Sequence, residues 1–163
     1  MRSLTYTLCA VAAATLTACA APYAFAPGTT RDAVIQQAGA PTQVVRTPRG
    51  ERLQYSRQPM GFEAWMVDLD SSGHVIGAYQ ALTEQNFQRI GPGWTRDDVT
   101  REFGPPAQVD RVASWHGPVW TYRWRDVANS RMFYWVYLDE GGVVARAHPG
   151  MELMGGPNDN RAR

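Results

Sequence analysis

An eighteen-residue segment beginning at Pro27, PGTTRDAVIQQAGAPTQV, returns without a gap at Pro92 as PGWTRDDVTREFGPPAQV. Ten of the eighteen aligned positions are identical, where chance gives about one. The chain is therefore two copies of one small unit. The retained positions include Gly28 with Gly93, Thr30 with Thr95, Asp32 with Asp97, Val34 with Val99, Gly39 with Gly104 and Pro41 with Pro106. These residue types fix backbone geometry or fill a core, and few of them can do chemistry. Units of roughly sixty residues are marginal alone, so the two copies are expected to pack against each other.

Within each copy the same start and stop signals recur. Thr30 is a plausible N-cap, Val34 and Ala38 lie one turn apart, and Gly39 stands at a left-handed C′ position. In the second copy Thr95 caps, Asp98 occupies the capping-box position, Val99 and Phe103 form the apolar stripe, and Gly104 with Pro105 and Pro106 ends the helix. Asp32 and Asp97 fall in first turns, where the helix dipole favours an acid. Alternating stretches follow: 43–46 and 52–55 about a turn at 48–50, then 62–70 with 74–80, matched by 132–139 with 143–148. Thr83 is expected to cap a further helix through Ile90, with Phe87 and Ile90 facing inward. The expected fold class is α+β: two tandem units, each a short helix or helix pair packed on a three- to four-stranded antiparallel sheet.

Arg2 precedes an apolar, small-residue run from Leu4 to Leu16 that is too short to span a bilayer, and Leu16-Thr17-Ala18-Cys19 follows. This run resembles the lipobox of bacterial lipoproteins. The resemblance implies cleavage before Cys19 and acylation there by diacylglyceryl and palmitate-type chains, an anchor that several acyl groups make stable. Ala20 rather than aspartate follows the cysteine, which by the same resemblance implies sorting to the outer membrane, facing the periplasm. Cys9 would leave with the signal, so no intramolecular disulfide remains. The expected organisation is a signal peptide at 1–18, a tether at 19–26, units at 27–81 and 82–150, and a disordered tail at 151–163.

After removal of Arg2 with the signal, fifteen basic side chains face fifteen acidic ones. That balance gives no support to nucleic-acid binding. The three histidines, His74, His116 and His148, are dispersed, and no nucleophile elbow, zinc motif or phosphate-cradling loop is present. Asp68 and Asp70 sit beside Ser71-Ser72-Gly73, where turn chemistry explains them, and Asp139-Glu140-Gly141-Gly142 reads the same way. No enzyme, cofactor, metal or small-molecule substrate is expected.

The Gly-x-Thr-x-x-x-Val run with a following Gly-x-Pro, seen at Gly28 to Pro41 and again at Gly93 to Pro106, resembles the SmpA/OmlA (BamE-like) domain of outer-membrane lipoproteins. Strands ending in Asp-x-x-Gly and the run Asn86 to Ile90 extend the resemblance over nearly all of the mature chain. It implies short helices on one face of an antiparallel sheet, and a non-enzymatic interaction or assembly module whose partners are barrel-assembly subunits or another envelope protein. The two copies depart from the single unit of the family's best-known member. A tandem pair also resembles the β-lactamase inhibitor protein, which implies the alternative of an inhibitor of a periplasmic enzyme.

Aromatic side chains concentrate in the second unit: Trp115, Trp120, Tyr122, Trp124, Phe133, Tyr134, Trp135 and Tyr137. Trp120, Tyr122 and Trp124 share one strand face, and Phe133, Trp135 and Tyr137 share another. Alternation cannot bury them all, so some rings are expected on the outer face of a one-sided sheet. Core packing is the competing account. The candidate partner-binding residues are Trp115, Trp120, Tyr122 and Trp124, with Arg123 and Arg125 interleaved.

Overall fold

The computed structural model describes residues 23–152. The first unit runs α1 (Arg31–Ala38), β1 (Gln43–Thr47), β2 (Gly50–Ser56), β3 (Ala64–Asp70) and β4 (Val75–Gln80). The second runs α2 (Glu84–Phe87), α3 (Arg96–Phe103), β5 (Gln108–Asp110), β6 (Val119–Arg125), β7 (Arg131–Leu138) and β8 (Val144–Met151). Each set of four strands forms its own antiparallel sheet in sequential order, and the two sheets do not merge. The fold is α+β, as expected.

The conserved repeat is explained by where its backbone bonds go. Thr30 and Thr95 cap α1 and α3, their hydroxyls accepting from the N–H groups of Ala33 and Asp98. The Gly28 N–H donates to the Val75 carbonyl at 2.8 Å, and the Gly93 N–H to the Val144 carbonyl at 3.0 Å. Likewise the N–H groups of Arg31 and Arg96 donate to Gly73 and Gly142. The helix entry of each unit is thus laced to its own last hairpin. Gly39 and Gly104 close the helices at φ of 83° and 76°, a region that favours glycine. Their carbonyls each accept from a tyrosine on the neighbouring sheet, Tyr55 at 3.2 Å and Tyr122 at 2.9 Å.

The layers run α1, first sheet, α2 with α3, second sheet. On the α1 side, Val34, Leu53, Tyr55, Val67, Leu69, Val75 and Phe25 form one buried cluster. The opposite face of the same sheet is also covered. Ala64 and Met66 join Phe87, Val99, Phe103, Tyr122, Trp124, Tyr134, Val136 and Leu138 in the larger core. Phe87 lies at its centre, stacked on Phe103 at 5.0 Å and on Tyr134 at 4.2 Å, with the Trp124 edge at 5.6 Å. Full burial of such a ring stabilises by about 1.5–3 kcal/mol.

Polar side chains of the first sheet grip α3. The Gln54 amide donates to the carbonyls of Thr100 and Arg101 at 2.9 and 3.0 Å. Arg52 donates to Asp68 at 2.5 Å, to the Arg101 carbonyl at 2.8 Å and to Glu102 at 3.2 Å. Burial opposes the Arg52 charge, but the Asp68 hydrogen bond and the charges around it outweigh burial and raise its pKa. A second bridge lies at the far end of β6, beyond short β5. There the Gln58 side chain donates to the Arg123 carbonyl at 2.7 Å and accepts from the Arg123 N–H at 3.1 Å, as an adjacent strand would.

Several boundaries differ from the sequence reading. The tether expected through residue 26 is partly folded: Tyr23 packs on Tyr55 and Trp65, and Phe25 is buried. The second unit continues past residue 150, because Met151 belongs to β8 and Glu152 pairs with Arg123 at 2.5 Å. The remainder of the expected tail lies outside the described residues, as do the signal peptide and Cys19. The helix expected through Ile90 is regular only to Phe87. Tight bonds from Arg89 to Asn86 and from Ile90 to Phe87 wind up its end ahead of Gly91-Pro92. Phe87 and Ile90 do face inward.

Candidate functional site

Alternation along β6 and β7 decides which aromatic row is internal. Tyr122, Trp124, Tyr134, Val136 and Leu138 are buried against α2 and α3, and Trp120 is partly buried against the same core. Three of the candidate partner-binding residues, Trp120, Tyr122 and Trp124, therefore point into the molecule. Burial raises the pKa of the Tyr122 phenol, which is satisfied by the Gly104 carbonyl. The Trp124 indole N–H has no hydrogen-bond partner among the described residues.

The alternate row lies on the outer face. Phe133, Trp135 and Tyr137 stand opposite Gly150, His148 and Arg146 of β8, and opposite Arg123, Thr121 and Val119 of β6. No further layer of secondary structure covers this face among the described residues. The rings lie along the sheet: a Cβ added at Gly150 would come within 2.2 Å of the Trp135 ring. His148 stacks on Tyr137 at 5.4 Å and meets Trp135 at 5.4 Å. Trp115, the one candidate tryptophan on this face, packs edge-on to Tyr137 at 5.5 Å and donates its indole N–H to the Leu138 carbonyl at 2.7 Å. Arg146 covers Tyr137 at 4.0 Å and reaches Trp115 at 5.3 Å. These contacts hold the Arg146 guanidinium over the rings.

Arg123 and Arg125 are divided. Arg123, on the outward strand phase, is tied down by bonds to Glu152 and to the carbonyls of Pro59 and Met60. Arg125 is exposed, lies 4.4 Å from the Phe62 ring centroid and donates to the Asn129 carbonyl at 2.8 Å. With Arg57, Gly61, Phe62, Glu63 and Gln80 it lines a cleft of about 230 Å³.

The remaining polar candidates have local partners. Asp70 accepts from the N–H groups of Ser72 and His74, both at 2.9 Å, and from the Ser72 hydroxyl, which holds its carboxyl below the usual range. Asp139 accepts from the Val143 N–H at 2.9 Å in the equivalent turn. Asp68 departs from the turn reading and pairs with Arg52 instead. His74 lies against Ser72 in its turn, His116 is exposed and His148 belongs to the aromatic face.

Trp135, Tyr137, Arg146 and His148 were absent from the sequence-based candidate set. A signal for them existed. Thr121, Arg123 and Arg125 alternate with Trp120, Tyr122 and Trp124, and polar residues at one strand phase mark the outward face. Val136 and Leu138 mark the inward phase of β7 in the same way.

No protein-family model matches the chain, and no curated protein matches it. Among solved structures, the chain is similar to a DUF4309 family protein (YjgB) from Bacillus subtilis subsp. subtilis str. 168. The identity is 13%, the alignment covers 76% of this chain and 79% of that one, and the TM-score is 0.31.

Proposed function

We propose that the chain is a lipid-anchored outer-membrane protein facing the periplasm, a non-enzymatic interaction or assembly module built from two BamE-like units. The carrying observation is the outer face of the second sheet, where Trp115, Trp135, Tyr137, Arg146 and His148 form a fixed aromatic and cationic patch. Aromatic and arginine side chains held rigid before contact are the groups that dominate protein interfaces. The run Leu16-Thr17-Ala18-Cys19 supports anchoring, and the helix-on-sheet build of both halves supports the resemblance to SmpA/OmlA domains. Docking runs through the outer row instead of Trp120, Tyr122 and Trp124.

Metabolic palmitate labelling with membrane fractionation tests the anchor. The wild-type chain is expected to be labelled and to sediment with outer membranes, whereas Cys19→Ser is unlabelled and released. An unlabelled, freely soluble wild-type chain would contradict the proposal.

A further inference from the structure

We infer that the outer face of the second sheet receives an acidic segment of a protein partner, with Arg146 holding a carboxylate between the Trp135–Tyr137 row and Trp115. On β8, the strand beside the aromatic row, the exposed charge is basic. Arg146 and His148 stand on β8 beside the aromatic row, and Arg125 lies at the end of the sheet near Phe62. Glu152 is already paired with Arg123 at 2.5 Å, and Asp110, bonded to Gln108 at 2.9 Å, lies on β5, two strands from the aromatic row. Arg146 has no ion-pair partner among the described residues. Its Cζ lies 4.0 Å from the Tyr137 ring centroid, which holds the guanidinium over the ring, and a guanidinium edge offers two parallel donors to a carboxylate.

The face, and not the strand edge, is the surface used. Pro149 lies within edge strand β8 and lacks the N–H that edge pairing needs. A bilayer is the other occupant an aromatic and cationic face could suit, and chain geometry argues against it. This step rests on the proposed anchor at Cys19. Tyr23 lies four positions after Cys19, a reach of at most about 14 Å. Tyr23 packs on Tyr55 and Trp65, on the α1 side of the first sheet. The first sheet, a helix layer of about 10 Å and the second sheet all intervene before the aromatic face. Anchoring therefore turns that face away from the membrane.

The test places a photoreactive benzoyl-phenylalanine at His148, or at Gln36 on α1 as a control, in the full-length chain in cells, and maps the crosslinked site. The expected result is a crosslink from position 148 to a protein segment rich in Asp and Glu. Its yield falls about tenfold or more with Arg146→Glu and falls less with Arg146→Lys, which keeps the charge but loses the planar edge, while both variants melt like the parent. A crosslink from position 148 to lipid, to the chain's own tail, to a second copy or to a segment without acidic residues would overturn the inference. So would an unaltered yield in Arg146→Glu, or no crosslink at all. Failure of palmitate labelling with an acidic crosslink intact would remove the anchor and leave the docking chemistry standing.

Discussion

Thr95 and Asp98 satisfy each other at the start of α3. The Asp98 N–H donates to the Thr95 hydroxyl at 3.2 Å, and the Asp98 carboxylate accepts from the Thr95 N–H at 2.9 Å and from its hydroxyl at 2.6 Å. Those bonds, with Arg101 at 2.8 Å, bring the Asp98 pKa down to about 2. A depressed carboxylate pKa adds stability above the unfolded-state value, and that stability disappears as pH falls through the folded-state value. Asp98→Asn is therefore expected to lower Tm relative to wild type above about pH 4, with the difference closing toward pH 2. Thermal melts across that range check it, and a difference undiminished at pH 2 would contradict it. Trp124 offers a second contrast. Its indole N–H is buried without an acceptor among the described residues, a cost of about 1–3 kcal/mol. Trp124→Phe removes that donor and is expected to stay within about 1 kcal/mol of wild type in denaturant titration, whereas Trp124→Ala loses about 3–5 kcal/mol. Equal losses in the two variants would contradict this. Capping of both helices was legible in the sequence because a threonine ahead of a helical run is a local signal, to which Asp98 adds the capping box in α3. The inward aim of Trp124 was less so, since a tryptophan suits a strand face of either kind and only the polar phase of Thr121, Arg123 and Arg125 separates them.

Among the elements, α3 belongs to both halves. Its Val99 and Phe103 lie in the core with Tyr122 and Val136 of the second sheet, and with Ala64 and Met66 of the first. Its last carbonyls are held by Arg52 and Gln54. The alternation Arg52-Leu53-Gln54-Tyr55 marks a half-buried strand, and polar residues at one phase ordinarily face water. Here that polar phase is buried because it bonds the carbonyl end of a helix from the other unit, a partner distant in sequence and invisible to periodicity. Short β5 leaves Arg123 open, and Gln58 fills the gap from a loop. Two units bonded in this way should unfold together. Denaturant titrations followed by far-UV circular dichroism, which reports both sheets, and by tryptophan fluorescence, which reports chiefly the second, are expected to share one midpoint. Separate midpoints would show that the halves are independently stable.

Across the whole molecule, duplication has given two related sheets different surroundings. The first is covered on one face by α1 and on the other by α3, so neither face is free. The second is covered only on its inner face, and its outer face carries the aromatic row with Arg146 and His148. The repeat, the fold class and most strand positions could be read from local patterns. The asymmetry between the sheets could not, because it arises from how one unit stacks on the other. On the proposed function it makes the second unit the interacting one and leaves the first nearest the anchor. The most direct measurement is affinity capture after crosslinking in cells, comparing the wild-type chain with Cys19→Ser. The account predicts enrichment of barrel-assembly subunits or another envelope protein with the anchored form alone. Equal enrichment of a soluble periplasmic enzyme by both forms would contradict it and make the chain an inhibitor.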